Sequence, residues 1–427
     1  MKTLAPALMA LLLSPAAWAV DLLEVYREAA IQDSQYAAAK ANYEAAKERL
    51  PQARAGLLPF VNATGDVSEI EIKDGPNDTS NGFSVNASQP IFRMQNYAAY
   101  QQAKHLVEQA EAVLRASGQD LILRTSRAYF DVLLAEYNLR LAKSLKVAIA
   151  EQLEQAKRSF EVGTATIVDT HEAQARYDLA GSQEIAAEND LEVGKRTLQS
   201  ITGKTYPFLK SFAEKVPLTP PDPNNMDYWV GKAESSSLTV IAQQQGLEVA
   251  RKEIDRSRAG HYPTLDLVAT YSDRPVFTQL GVGDNVQSTT IGLQLAVPIF
   301  QGFGQEARVK EAVALEDRAR NDLETARRNS ALVARQSFLV LNSSISRARA
   351  LEQALVSSES QLESTKVGRE VGVRTSVDVL NAEQQLFSTR RDLAQAYYNY
   401  LISSLQLEAA AGTLDEEDVA RINQALR

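Results

Sequence analysis

Two short stretches carry charged side chains whose type and spacing suggest chemistry. EVGTATIVDT (161–170) and EVGVRTSVDV (370–379) share a Val-Gly pair, and each places an aspartate six residues after its glycine. Asp169 follows Gly163, Asp378 follows Gly372, and Arg374 stands beside the second pair. A carboxylate at the start of a helix complements the partial positive charge of the exposed N–H groups there. Copies of Asp169 and Asp378 gathered around a tube mouth would instead form an acidic ring, with Arg374 as a charge partner. The two readings are compatible.

Other chemistries find little support. The three histidines, His105, His171 and His261, lie far apart, and none has a second ligand at metal spacing. The chain has no cysteine, which removes thiolate metal sites, disulfides and cysteine nucleophiles together. Gly302-Phe303-Gly304-Gln305-Glu306-Ala307 matches G-x-G-x-x-A between a strand and a helix. A dinucleotide site needs a second strand within about 30 residues, and here a far longer helix follows. The stretch reads as a strand-to-helix joint. Nucleophile elbows and phosphate loops are missing, so the sequence is not that of an enzyme and asks for no cofactor. A formal charge of −9 disfavours a nucleic-acid partner.

The elements that must position the two stretches are long helices. All fourteen prolines lie at or before Pro298, and none falls in 91–206. Segments 91–206 and 299–427 are therefore free of the strongest helix breaker. Both are rich in Ala, Leu, Glu, Gln, Lys and Arg, with apolar residues every three or four positions, the pattern of amphipathic coiled-coil helix. The halves repeat. RAGLLP (54–59) returns as RAGHYP (258–263), Pro90-Ile91-Phe92 as Pro298-Ile299-Phe300, and Gly203 as Gly412. This is one duplicated unit of roughly 205 residues.

The expected boundaries follow from that plan. The first repeat spans 20–206: helix 22–55, hairpin 60–92, helix 93–160, turn 161–165 and helix 166–202. A proline-rich linker covers 207–224. The second repeat spans 225–414: helix 225–259, hairpin 263–300, helix 302–368, turn 370–374 and helix 375–411, followed by a tail, 415–427. The hairpin segments alternate. Ile291, Leu293, Leu295, Val297 and Ile299 oppose Thr290, Gly292, Gln294 and Ala296, which gives strands with one apolar face. The joining segments 73–81 and 274–286 read as long loops. Helix 166–202 laid end to end with 225–259 matches the long helix in length, as does 375–411 with 22–55. The expected fold is mainly α with a small β part: a cylinder of antiparallel helices, strands at one end and the two Val-Gly turns at the other.

MKTLAPALMALLLSPAAWA has a basic start, a short apolar core and an Ala-Trp-Ala cleavage site, so residues 1–19 read as an export signal peptide. No run of 18 apolar residues follows, which leaves a β-barrel as the route into a membrane. Four strands cannot close a membrane barrel, since the smallest have about eight. Three chains would supply twelve.

Several stretches resemble the TolC family of outer-membrane channel proteins. They are RAYFDVLLAE (127–136), RSFEVGTATIVDTHEAQARYDLA (158–180), LQSITG (198–203), GHYPTLDL (260–267), PIFQG (298–302), VGVRTSVDVLNAEQQL (371–386) and YYNYLISSLQLEAAAGTL (397–414). The resemblance implies a homotrimer with a twelve-stranded barrel in outer-membrane lipid and a periplasmic α-helical tunnel. It implies an exit duct for drugs or type I secreted proteins, docked through a periplasmic adaptor to an inner-membrane RND or ABC pump. By the family pattern, Val162, Gly163, Thr164, Val371, Gly372 and Val373 contact the adaptor, and Asp169, Arg374 and Asp378 lie in the periplasmic constriction. Two positions depart from it. Asn381 stands where a second acid is expected, and Arg369 where a tyrosine is expected, so Arg369 becomes a candidate partner for Asp169. The alternative is a passive periplasmic coiled-coil or lipid-binding protein, which has no use for strands with one apolar face.

Overall fold

The computed structural model describes residues 19–71, 78–211, 216–278 and 281–424; the expected leader lies outside them apart from Ala19. In the first repeat, three short helices, α1 (Leu22–Gln32), α2 (Ser34–Lys47) and α3 (Arg49–Ala55), lead to strands β1 (Phe60–Ile70) and β2 (Asp78–Phe92). The long helix α4 (Met94–Glu161) and its return α5 (Ile167–Thr202) follow. The second repeat has α6 (Met226–Ser236), α7 (Leu238–Arg258), β3 (Thr264–Thr278), β4 (Gly281–Ala296), α8 (Gly304–Glu370) and α9 (Ser376–Ala411). A last helix, α10, spans Glu416–Asn423. At 1.5 Å per residue, α4 with its 68 residues is roughly 100 Å long.

Three expectations are corrected. The first helix of each repeat is broken, at Asp33 and Glu48 in the first and at Ser237 in the second. Asp33 caps α2 through the Tyr36 N–H at 2.7 Å and holds Arg124 of α4. Ser237 bonds Ser330 of α8 at 3.2 Å. Most of segment 274–286 is strand, because β3 continues to Thr278 and β4 begins at Gly281; of 73–81, the part from Asp78 belongs to β2 and 73–77 lie outside the described residues. The tail is not bare. Val419 and Ile422 of α10 join the main core, and Glu416 pairs with Arg27 of α1 at 2.8 Å.

The stacking of the helices also differs from the arrangement suggested by length. Along α4, Gly118 faces Tyr36 of α2, whereas Gly194 of α5 packs on Val132. Along α8, Gln305 meets α7 at Ser257, whereas Glu359 meets Arg390 of α9. Gly203, which ends α5, lies beside Gln32, and Gly412, which ends α9, lies beside Ser236. Each returning helix thus meets the broken helix of its own repeat. Matching lengths could not distinguish this from a cross-repeat pairing, because both repeats have the same dimensions.

The largest core sits at mid-length. Tyr129 and Phe130 of α4 are buried there with Leu22, Val25, Leu198, Leu405 and Val419. The Tyr129 hydroxyl donates to the Lys210 carbonyl at 2.6 Å, which ties the proline-rich linker to α4. Toward the Val-Gly turns the core thins to Leu145, Ile149, Ala180 and Leu380.

The four strands form one antiparallel sheet in the order β1-β2-β3-β4. Register separates its faces. Val61, Ala87, Ala269 and Ile291 form one row, and the next row along is Asn62, Asn86, Thr270 and Thr290. The polar face is knitted across strands by Thr64–Ser84 at 2.9 Å, Thr270–Asn86 at 3.0 Å and Ser272–Ser288 at 2.9 Å. Among the described residues the apolar face is most open on β4, where Ile291, Leu293 and Leu295 are each more than 60 % exposed.

Candidate functional site

The two Val-Gly turns share one geometry. Gly163 has φ +78° and Gly372 has φ +78°, the left-handed region that an L side chain occupies only with strain. The Gly163 N–H donates to the Phe160 carbonyl at 3.0 Å and the Thr164 N–H to the Ser159 carbonyl at 2.8 Å. In the twin, Gly372 donates to Arg369 at 3.0 Å and Val373 to Gly368 at 2.8 Å. These are paired Schellman closures, which stop a long helix sharply and satisfy its last carbonyls. The closure turns outward what a helix would cover. Val162, Val371 and Val373 are 73 %, 69 % and 78 % exposed.

Immediately after each turn, a threonine starts the returning helix. Thr166 caps α5, and the Asp169 carboxylate accepts from the Thr166 N–H at 2.8 Å. Thr375 caps α9, and Asp378 accepts from the Thr375 N–H at 2.8 Å. These are capping boxes, and the Thr-x-x-Asp spacing that makes them is written in the sequence at both sites. Hydrogen bonds from the threonine backbone and hydroxyl hold both carboxyls below the usual aspartate range, with Arg374 a lesser influence on Asp378. The helix-start reading of the aspartates is thus realised within one chain, and both stay ionised at neutral pH.

The expected partners differ from those found. Within the chain Arg369 is not paired with Asp169; its guanidinium donates to Gln155 of α4 at 3.3 Å. Arg374 is near Asp378 and lies over Gly368, rather than reaching Asp169 in the same chain. Asn381 accepts from Arg176 of α5 at 2.9 Å, and Arg176 also pairs with Glu172 at 3.1 Å. Close by, Gln152 donates to Glu383 of α9 at 2.8 Å, and Lys366 of α8 stands 3.7 Å from the same carboxylate. Burial pushes the Glu383 carboxyl up, against the opposing pull of Lys366. Polar side chains from α4, α5, α8 and α9 thus cross-tie the two helical hairpins just above the turns. Sequence reading missed Arg176, Gln152 and Glu383. No local spacing marks contacts between residues 205 and 231 positions apart.

The other candidates do no such work. His105, half-buried between α4 and α7, bonds Gln245 at 3.0 Å and Glu108 at 3.3 Å. Gly302 and Phe303 form the joint between β4 and α8, and α8 runs on for 67 residues. Among the described residues, no helix is long and apolar enough to cross a membrane.

A four-stranded sheet with one polar and one apolar face, joined end-on to a wall of helices, is the plan of an outer-membrane duct. Comparison with known proteins agrees: the family model described as outer membrane efflux protein matches residues 25–204 and 229–413.

The chain belongs to the outer membrane efflux protein family.

The two matched blocks coincide with the two repeats, so the duplication read from the sequence is the family's own division. The chain is 34 % identical to outer membrane protein TolC of Vibrio cholerae, across 97 % of this chain and 96 % of that protein. It is 28 % identical to the alkaline protease secretion protein AprF of Pseudomonas aeruginosa, across 96 % of this chain and 88 % of that protein. Its fold matches the crystal structure of the outer membrane protein VceC of Vibrio cholerae with a TM-score of 0.78 at 18 % identity, covering 92 % and 96 % of the two chains. As a member of this family the chain is an outer-membrane exit duct for efflux or type I secretion, and it works with partner pump components. The family is one of transport channels rather than enzymes.

Proposed function

We propose that three copies of the chain close a twelve-stranded barrel in the outer membrane and continue it as a helical tunnel into the periplasm. The observation that carries this reading is the sheet. Four strands have two unpaired edges, one apolar face and one polar, hydrogen-bonded face, and twelve such strands satisfy every edge with lipid outside and water inside. A periplasmic adaptor docks on the exposed turns at Val162, Gly163, Thr164, Val371, Gly372 and Val373 and links the duct to an RND or ABC pump in the inner membrane. The pump supplies the energy, and the duct has no catalytic role. Drugs and secreted proteins would share this path, and the adaptor decides which is carried. Asp169 and Asp378, fixed by their capping boxes, and Arg374 ring the closed mouth. Arg369 and Asn381 sit behind them in the cross-tie between hairpins.

Electrical recording tests the reading. Protein purified from outer membranes is expected to run as a heat-modifiable trimer and to insert into planar bilayers as a channel of small conductance. Replacing Asp169 and Arg374 together should raise that conductance. A monomer that inserts no channels would contradict the duct, and unchanged conductance in the double variant would remove these residues from the mouth.

A further inference from the structure

The wall of helices has two faces, and the chain loads them unequally. On α9, Ser404 and Glu408 face the proline-rich linker together with Asp418 and Ile422 of α10. Two residues along a helix make a turn of about 200°, so Ile402 and Gln406 point to the opposite side. On that side lies a cavity of about 630 Å³ between α4, α8 and α9. Drug-sized ligands occupy cavities of about 300–1,000 Å³. In the duct proposed above, the linker and α10 have room only outside the ring of helices, so this cavity opens into the bore.

Its lining combines positive charge with an aromatic floor. Arg127 of α4 and Arg347 of α8 both line it and are exposed. Among the described residues, neither guanidinium has a hydrogen bond or a salt bridge. Asp131, one helical turn after Arg127, is the one carboxylate in the lining, and Arg127 attracts it without closing an ion pair. Two guanidiniums against one carboxylate leave the cavity with a surplus positive charge, in a chain whose formal charge is −9. The floor is the stacked pair Phe130 and Tyr398, with ring centroids 5.7 Å apart and planes 27° from parallel. Phe130 belongs to the main core, which holds that floor in place. A second cavity, about 850 Å³, shares Val340 and Gln406 with the first and extends along α8 toward the strands. It is lined by Asp322 and by no arginine, so the positive charge is local to the first.

We propose that this recess binds an amphipathic organic anion, a flat aromatic body that carries a carboxylate or sulfonate. The proposal rests on the duct reading above. Arg127 and Arg347 hold the anionic group from two helices, each guanidinium able to present two parallel N–H donors. The rings of Phe130 and Tyr398 take the flat body. Three copies of the chain place three such sites around the bore, at the height of the main core.

Calorimetric titration of the full-length protein in lipid nanodiscs tests this, with naphthalene-2-sulfonate as the probe and empty nanodiscs as the background. Saturable binding is expected, at one site per chain. Arg127→Gln and Arg347→Gln should each weaken it by about tenfold or more, the effect of losing a hydrogen bond to a charged group. Both positions are exposed, so each variant should keep the wild-type trimer and melting temperature. Equal binding by the double variant and the unsubstituted protein would overturn the proposal. So would equal binding of naphthalene-2-methylamine, which has the same rings and the opposite charge. Conductance of the same protein in planar bilayers separates the two readings. A protein that does not conduct would overturn the duct and the placement in its bore together. Unchanged binding in a double variant that conducts would count against the site alone.

Discussion

Thr166 and Thr375 fix the carboxylates of Asp169 and Asp378 before any neighbouring copy arrives. A cap of this kind contributes about 1 kcal/mol to its helix. It also presents a lowered-pKa carboxylate at a defined height above the turn. Glu383, a few residues further along α9, is the opposite case. Its side chain is 11 % exposed, and burial raises its pKa above the ordinary 4.5. A raised carboxyl pKa means that the native state binds more protons than the unfolded chain. The stability it contributes is full below the unfolded value and is lost as pH rises through the folded one. Glu383→Gln keeps a hydrogen-bonding group for Gln152 without the buried charge. Its melting temperature should exceed the wild type's near neutral pH and converge with it by ~pH 4. A lower melting temperature at neutral pH would mean that the attraction to Lys366 outweighs the burial. The aspartates were legible as helix-start acids from their spacing after the glycines, and the local Thr-x-x-Asp spacing carries their capping role as well. The Arg176–Asn381 tie was not, because it depends on how two hairpins align across 205 residues.

Helices α4 and α8 can run the length of the molecule because neither contains proline and both are flanked throughout. The flanking helices change at mid-length: along α4 from α2–α3 to α5 on one side and from α7 to α9 on the other, and along α8 from α7 to α9. The heavy core lies at that change, and the hairpin ends beyond it have few buried apolar side chains and several polar ties. Segments packed in this way open at lower free energy than the body, which suits the mouth proposed at the turns. Gly163→Val and Gly372→Val together should strain the turns by about 1–2 kcal/mol each. The damage should stay local, so trimers still form while export through the duct is lost. Normal export would count against docking on the turns. At this scale, helix type, the turns and the repeat were all legible, since periodicity, proline placement and paired glycines are properties of single segments. The break at Ser237 was not, because it is held by Ser330 of a distant helix; the one at Asp33 has a local cap, which the overall helical periodicity hid, as well as the distant Arg124. Strands β3 and β4 run past their expected ends because cross-strand pairing continues through Pro275–Asn285 and Phe277–Val282, which carry no clean alternation.

On the scale of the whole molecule, the proposed duct depends on the edges of the sheet. Within one chain β1 and β4 are the outer strands of the sheet, each with one edge unpaired. They stand three strand spacings apart, about 14 Å. Closure by further copies is what the strand count asks for, because four strands are too few for any membrane barrel. The chain has no native cysteine, so the closure can be read without background. A protein carrying Ala63→Cys on β1 and Ile291→Cys on β4 is treated in outer membranes with a short bis-maleimide and run in denaturing gels. The two sites are too far apart to join within one chain. The account predicts covalent products up to three chains and no larger, with the trimer dominant at completion. Monomer alone, or a ladder that continues past three, would contradict it.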